Sequence, residues 1–238
     1  MYSSIAGNRS LGGFGGSLGG GRGGGIWSQQ PVSLDSCLVA DNFATLGGGV
    51  STGYQFNPSG NDGAITLVNS TISRNSAATT GAGLLAYGPI TASNSTIVYN
   101  ALISNPTGSG VTTYRAAAIT LQNSIVARNG YYPSAPIDIS GKEGTVIVGA
   151  NNVVTHALLT VPPGTISADP HIGPLVDNGG PTRTHSLLRG SPAINAANST
   201  VPRMYDQRGS PHGRELGGRQ DIGAFESDPD QVFASRFE

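Results

Sequence analysis

Charge is scarce in this 238-residue chain. Only 11% of its residues are Asp, Glu, Lys or Arg, against about a quarter in most globular domains, and the formal net charge is −1. A chain so close to neutral carries no electrostatic footprint for nucleic acid or for an anionic membrane surface. Cysteine is almost absent. Cys37 stands alone, which excludes an internal disulfide framework, and a lone thiol of this kind reads as a small buried side chain. No apolar run reaches the ~18 residues of a membrane-spanning helix. The opening Met1-Tyr2-Ser3-Ser4 lacks the basic and apolar regions of a secretion signal.

Glycine, by contrast, is plentiful: 36 residues. Each costs about 1 kcal/mol relative to alanine inside a helix, so the chain cannot be helical in bulk. Its hydrophobic content of 37% is too high for simple disorder. An all-β fold with many turns remains. The few charges are also unevenly placed. Residues 1–137 hold three acids (Asp35, Asp41, Asp62), five arginines and no lysine, while the other eleven acids and all four histidines follow. Two regions with different physics are expected.

An internal repeat organises the first of them. Five segments align: Tyr2 to Asn8, Ser36 to Asn42, Asn69-Ser-Thr-Ile72-Ser-Arg-Asn75, Asn94-Ser-Thr-Ile97-Val-Tyr-Asn100 and Asn123-Ser-Ile-Val126-Ala-Arg-Asn129. Alternating strands precede four of them (Val32-Ser-Leu34, Ile65-Thr-Leu67, Ile90-Thr-Ala92, Ile119-Thr-Leu121), and glycine-rich starts such as Gly47-Gly-Gly-Val50 and Gly81-Ala-Gly-Leu84 lie further upstream. Each repeat is thus expected to supply three short strands whose period-2 alternation sets one apolar face inward. No single repeat can bury that face, so coils must stack at ~4.8 Å to share one core. The expected fold is all-β: a right-handed, single-stranded parallel β-helix over residues 1–160. The first repeat lacks its leading strand, so the chain is expected to open in mid-coil, with further coils and an export signal ahead of it.

The recurrent asparagines Asn8, Asn42, Asn75, Asn100 and Asn129 suit such a stack for two reasons. Asparagine tolerates the left-handed backbone of a sharp turn, and its amide can bond its equivalents above and below, forming a structural ladder. Asn69, Asn94 and Asn198 also begin Asn-x-Ser/Thr sequons, but an inward ladder explains repeat spacing and a glycosylation site does not. Two longer insertions interrupt the coils. Leu11 to Gly25 reads as a loop, with no Gly-Lys-Ser/Thr to cradle a phosphate. In the second, Gly53 to Asp62, Tyr54 and Phe56 are candidates either to stack on a sugar ring or to cover the edge of the core.

Past Asn129 the pattern changes. Asp138 to Gly141 and Val146 to Val154 read as a last, irregular coil. Then come Asp169-Pro-His-Ile-Gly-Pro-Leu-Val-Asp-Asn-Gly-Gly-Pro-Thr-Arg-Thr-His185, Gly190-Ser-Pro-Ala-Ile194, Asp206-Gln-Arg-Gly209 and Asp221-Ile-Gly-Ala-Phe-Glu226. These words, with the Gly-Gly-x-Ile and Asn-Ser-Thr-Ile repeats, resemble the bacterial parallel β-helix proteins of pectin-lyase-like fold that carry polymorphic-outer-membrane-protein-like repeats and end in a choice-of-anchor Q domain. One departure is Asn195-Ala-Ala197, where such proteins usually have Asp-x-Gly. The resemblance covers residues 1–226 and implies export to the cell surface, outer membrane or medium. It implies that 161–226 closes or anchors the helix, with 227–238 as a tail, and implies no established catalytic activity. Capping suits the physics of an irregular polar module, since the terminal coil of a solenoid is an exposed edge. A buried network of Asp206, Arg208, Asp221 and Glu226 is expected to hold that cap together.

Fold alone does not assign function, and some β-helices cleave polysaccharides. Inverting hydrolysis needs paired carboxylates about 6.5–9.5 Å apart, and calcium-dependent chemistry needs several converging oxygens. The equivalents of Asp35 are Val68, Ser93 and Gln122, and those of Asp41 are Arg74, Tyr99 and Arg128, so no acidic column forms. His171, His185 and His212 with Asp177 and Asp206 match no metal spacing. No catalytic residue, metal or cofactor is therefore expected. The favoured reading is a secreted or surface-exposed adhesin-like scaffold for a glycan or an extracellular protein. The alternative is a piece of a polysaccharide-degrading lyase or glycoside hydrolase.

Overall fold

The computed structural model describes residues 2–11, 20–53, 63–103, 110–130, 136–198 and 203–228. They contain no helix, and their strands stack in parallel into a β-solenoid. Four sheets run along it. The first holds Ser3–Ala6, Cys37–Ala40, Thr71–Ser73, Thr96–Val98, Ile125–Ala127 and Val153–Val154, and the second Arg9–Ser10, Phe43–Leu46, Ser76–Thr80 and Ala101–Leu102. The third holds Ile26–Ser28, Val50–Thr52, Leu84–Ala86, Val111–Thr113 and Ile139–Gly141, and the fourth Val32–Asp35, Ile65–Val68, Ile90–Ser93, Ala118–Gln122 and Val146–Ala150.

Register follows the repeat. Ile5, Val39, Ile72, Ile97, Val126 and Val154 form one inward column. Ile26, Val50, Leu84, Val111 and Ile139 form a second. With Leu34, Ile65, Leu67, Ile90, Ile119 and Leu121 they make a single core. Each aliphatic side chain fully buried there contributes about 1.5–3 kcal/mol, and only stacking removes it from water.

Three expectations are corrected. A full coil has four strands, not three: the missed one directly follows the ladder asparagine. Its clearest example, Ser76–Thr80, reads Ser-Ala-Ala-Thr-Thr, with no large apolar alternation to reveal it. The ladder asparagines themselves are not in the left-handed region. That conformation belongs to the residue before each of them, Gly7, Asp41, Arg74, Tyr99 and Arg128, and to Asn69, Asn94, Asn123 and Asn151 at the corner between the fourth and first sheets.

The third correction concerns the cap. The stretch around 157–166 covers the last coil, through bridges of Ala157 to Ile139 and Ile166 to Val153. Ala157, Leu159 and Val161 pack on the core there. The later residues instead lie along the flank, against the outer face of the first sheet. An antiparallel hairpin, Ile172–Val176 with Thr184–Leu187, sets Leu175 on Leu38 and Ala40. Ile172, Leu187, Ile222 and Phe225 pack on Val98, Ile125, Ala127 and Val153. From Cys37–Ala40 onward sheet one is therefore buried on both faces, and its middle strands read without alternation, while Ser4 and Ala6 of its first strand stay exposed. A module that must shield several stacked strands rather than one coil needs this lateral arrangement.

Glycines at the start of the third sheet explain the Gly-Gly words. A Cβ on Gly49 would stand 2.5 Å from the Gly83 carbonyl oxygen, and one on Gly83 would stand 2.5 Å from that of Gly110. Backbone meets backbone there, beside the asparagine amides.

Candidate functional site

The five repeat asparagines lie in one column. Each Nδ2 donates to the Oδ1 of the next: Asn8 to Asn42, Asn42 to Asn75 and Asn75 to Asn100 at 2.9 Å, and Asn100 to Asn129 at 2.8 Å. The same oxygens accept backbone N–H groups at 3.0–3.1 Å. Such a chain has a direction and must end on an acceptor. It ends on Asp138, whose Oδ1 accepts both the N–H and the Nδ2 of Asn129 at 2.9 Å. Its Oδ2 accepts from the Thr155 hydroxyl and the His156 N–H. A carboxylate, acceptor-only when ionised, fits that place. Burial pushes its pKa up, against the four donors.

A second column escaped the sequence reading. Ser70, Ser95 and Ser124 are buried, and each hydroxyl oxygen accepts the backbone N–H of the preceding coil: Cys37 at 3.1 Å, Ser70 and Ser95 at 3.2 Å. Asn152 Oδ1 closes the row by accepting from Ser124. The recurring Asn-Ser dipeptide was its signal: the asparagine turns the corner and the serine ties it. The sequon residues Asn69 and Asn94 are buried. Asn69 Nδ2 donates to the Tyr205 carbonyl, and Asn123 Nδ2 to that of Asn198. The Asn69 and Asn123 amides fasten the flanking segment, and the burial of Asn69 and Asn94 leaves no room for a glycan at either.

Inside that segment Asp206, Arg208, Asp221 and Glu226 come together with Arg214, which the sequence reading did not single out. Arg208 Nη2 donates to Asp206 Oδ2 at 2.7 Å and to the Glu226 carbonyl at 2.7 Å, and its guanidinium lies 3.9 Å from the Phe225 ring centre. Asp221 accepts from the N–H groups of Asn195 and Ser227. Glu226 accepts those of Leu216 and Asp221. Arg214, buried, donates to the Asp221 and Gly223 carbonyls. Burial, then the Asp221 charge, raises the Glu226 pKa to about 8; burial raises Asp221 and lowers Arg214. With so little apolar sequence, this segment is held by a polar core, and all of it is enclosed.

The histidines do not converge. His185 is buried, with Nδ1 2.7 Å from the Gly173 carbonyl and Nε2 2.9 Å from Ser73 Oγ. A carbonyl only accepts, so Nδ1 carries the proton and Nε2 accepts from the serine. Burial lowers its pKa to about 4. The pair has nucleophile–base geometry, yet Ser73 is fully buried and reaches no substrate. His212 Nε2 bonds the exposed Gly179 carbonyl, Asp177 accepts from the Gly179 N–H, and His171 sits at a left-handed turn. Among the described residues no group of three His, Cys, Asp or Glu side chains could hold a metal. Two of the three acids in residues 1–137 are paired, Asp35 with Arg203 and Asp41 with Arg74 and Arg183; Asp62 lies outside the described residues. Arg203–Asp35, Arg183–Asp41 and Arg128–Asp169 cross between solenoid and flank, while Arg74–Asp41 joins neighbouring coils.

The fourth sheet turns its outer face to solvent, whereas the outward residues Ser51, Leu85, Thr112 and Ser140 of the third sheet are buried. On the fourth sheet Ser33, Thr66, Thr91, Thr120 and Val148 form an outward column. Beside it, Gly53, Tyr87, Tyr114 and Lys142 follow the third-sheet strands of successive coils. Tyr87 and Tyr114 stack with ring centres 4.8 Å apart. Arg22 lies over the Tyr87 ring at 5.6 Å and donates to its hydroxyl at 3.4 Å. Next to Tyr114 a groove of about 420 Å³ opens along the third sheet, lined by Thr112, Thr113, Tyr114, Ser140, Lys142 and Leu158 among others. Tyr54 and Phe56 lie outside the described residues, in the segment that starts right after Gly53. No helix among the described residues is long and apolar enough to cross a membrane.

No known protein family, curated protein or solved structure matches this chain.

Proposed function

We propose that this chain is a secreted or cell-surface scaffold of adhesin type, which binds a glycan or an extracellular protein without chemical turnover. One observation carries the reading: the two sides of the solenoid are treated oppositely. The flank of the first sheet is sealed by the C-terminal segment, together with every strongly perturbed acid and base of that segment. The fourth sheet is left with an outward row of hydroxyls, and beside it the ends of the third-sheet strands present Tyr114, Lys142 and a groove of ligand size. Binding sites of this kind need preorganised surface more than perturbed titratable groups. The resemblance of the repeats and of the Asp169–Glu226 words to exported β-helix proteins with a choice-of-anchor Q domain supports an extracellular location.

The test is incubation of the full chain with acidic and neutral polysaccharides, with and without calcium. Retention of a polysaccharide with no change in its length agrees with the scaffold. Release of unsaturated or newly reducing ends would instead place the chain among polysaccharide-degrading enzymes.

A further inference from the structure

We infer that the groove beside Tyr114 is a binding site for an acidic oligosaccharide, with a sugar ring on Tyr114 and its carboxylate or sulfate on Lys142. The inference rests on the scaffold reading above and gives it a site and a ligand class.

The column that ends in Lys142 is built for stacking. Tyr114 is 45% exposed, whereas Tyr87 behind it is 3% exposed. Tyr87 is fixed on one side by Tyr114, with rings 24° from parallel, and on its hydroxyl by Arg22. Gly53 makes that position available: its φ is +79°, and a Cβ there would stand 2.5 Å from the Cβ of Tyr87. The inner tyrosine thus backs the outer one, and the outer ring meets a ligand without losing rotamer freedom. An aromatic plane that is already ordered suits the apolar face of a pyranose better than a mobile one.

Hydroxyls line the floor. Thr112 and Ser140 are paired in register and lie 3.1 Å apart through their oxygens. The residues are 7% and 8% exposed and bond each other, so the floor offers a sugar hydroxyl the donor and acceptor capacity which that one bond leaves. Leu158, 64% exposed, supplies an apolar wall.

Charge decides the class. Lys142 is the only lysine among the 238 residues, and it follows the third-sheet strand of its coil as Tyr114 follows that of the coil before. Among the described residues no carboxylate lines the groove; Glu143, next in sequence, is exposed and outside it. A neutral sugar would leave that ammonium without use, whereas an acidic one meets a compact, hydrated point charge. The volume of about 420 Å³ falls within the ~300–1,000 Å³ of ordinary ligand sites and holds two to three rings of a longer chain.

Isothermal titration of the full chain tests this with four probes: a uronic acid hexamer, a sulfated hexasaccharide, a neutral glucose hexamer and sodium sulfate. The expected result is binding of at least one acidic hexamer, at least ten times tighter than the neutral one and weakened by added salt. Whichever acidic hexamer binds more tightly identifies the acid. Lys142→Gln and Tyr114→Ala should each weaken binding at least tenfold, while Tyr114→Phe keeps it. Lys142→Gln alters an exposed side chain and should leave the melting temperature unchanged, so it reports even where Tyr114→Ala disturbs the fold. Binding of the neutral hexamer as tightly as the acidic ones would overturn the ligand class. Acidic binding untouched by Lys142→Gln would overturn the site while leaving the scaffold reading standing, and so would the absence of any binding up to millimolar sugar.

Discussion

Replacing Asn75 with leucine tests whether the asparagine column stabilises the stack. Asn75 is fully buried in mid-column. Its Nδ2 donates to Asn100 Oδ1 and to the Val39 carbonyl, both at 2.9 Å, and its Oδ1 accepts the N–H of Asn42 at 3.1 Å and the Nδ2 of Asn42 at 2.9 Å. Leucine has nearly the same shape and none of these groups. Two of the partners keep another contact: Asn42 Nδ2 retains the Ile5 carbonyl, and Asn100 Oδ1 retains the Asn75 N–H. The Asn42 N–H loses its acceptor and the Val39 carbonyl loses an amide donor. An orphaned buried group costs about 1–3 kcal/mol and each other bond about 0.5–1.5, against about 1.5–3 kcal/mol regained from leucine burial. The balance is a loss of about 2–3 kcal/mol. At roughly 2–4 °C per kcal/mol for a chain of this size, the melting temperature should fall by about 5–10 °C. Asn8 provides the internal comparison. It is exposed, and Asn42 Oδ1 keeps the backbone N–H of residue 8 whatever the side chain, so Asn8→Leu should cost under about 1 kcal/mol. Melting curves followed by far-ultraviolet circular dichroism measure both variants. Equal losses, or none at Asn75, would refute a column held by its interior amides.

Two further outcomes follow from the buried charges and the glycines. Glu226 is raised to about 8 in the folded chain, by burial first and Asp221 second. Folding therefore favours its protonated form, and the stability this confers is present below its ordinary value near 4.5 and lost as pH rises through 8. His185 is lowered to about 4 by burial, so its contribution is present above about 6.5 and lost as pH falls through 4. Between pH 6.5 and 8 only Glu226 acts of these two, and the melting temperature should decline there; Glu226→Gln should flatten that decline, and a flat wild-type profile would contradict the reasoning. Gly83→Ala should lower the melting temperature by several degrees, since its Cβ would lie 2.5 Å from the Gly110 carbonyl oxygen. Gly164→Ala, with nothing within 4 Å but φ at +79°, should cost only about 1 kcal/mol or slightly more; differential scanning calorimetry on the pair gives the comparison, and similar melting temperatures would show that the coils can separate to admit a methyl group.

Much of the solenoid was legible because stacking copies a one-dimensional pattern into three dimensions. Once Ile65, Ile90 and Ile119 occupy equivalent places in the repeat, their register on the fourth sheet follows, and the spacing of Asn42, Asn75, Asn100 and Asn129 already places them one above another. The strand Ser76–Thr80 was not legible, because small polar residues carry no periodic apolar signal. It is a strand only because its neighbours, Phe43–Leu46 and Ala101–Leu102, bond to it.

The order of words from Asp169 to Glu226 said that the second region differs, and the clustering of acids said how. Where that region lies was decided by long-range contacts alone. Leu175 meets Leu38, Gln207 meets Thr71 across 136 residues of sequence, and no local preference encodes either. The same holds for the groove. Tyr87, Tyr114 and Lys142 are unremarked singly in the sequence. The stack sets them on successive rungs, backs one ring with the other, and leaves the amine at the end of the row. The repeat by itself determined the coil, the core and the asparagine column. Which flank is sealed and which meets solvent was decided only by the folded chain, because that choice depends on surfaces that exist once the coils are stacked.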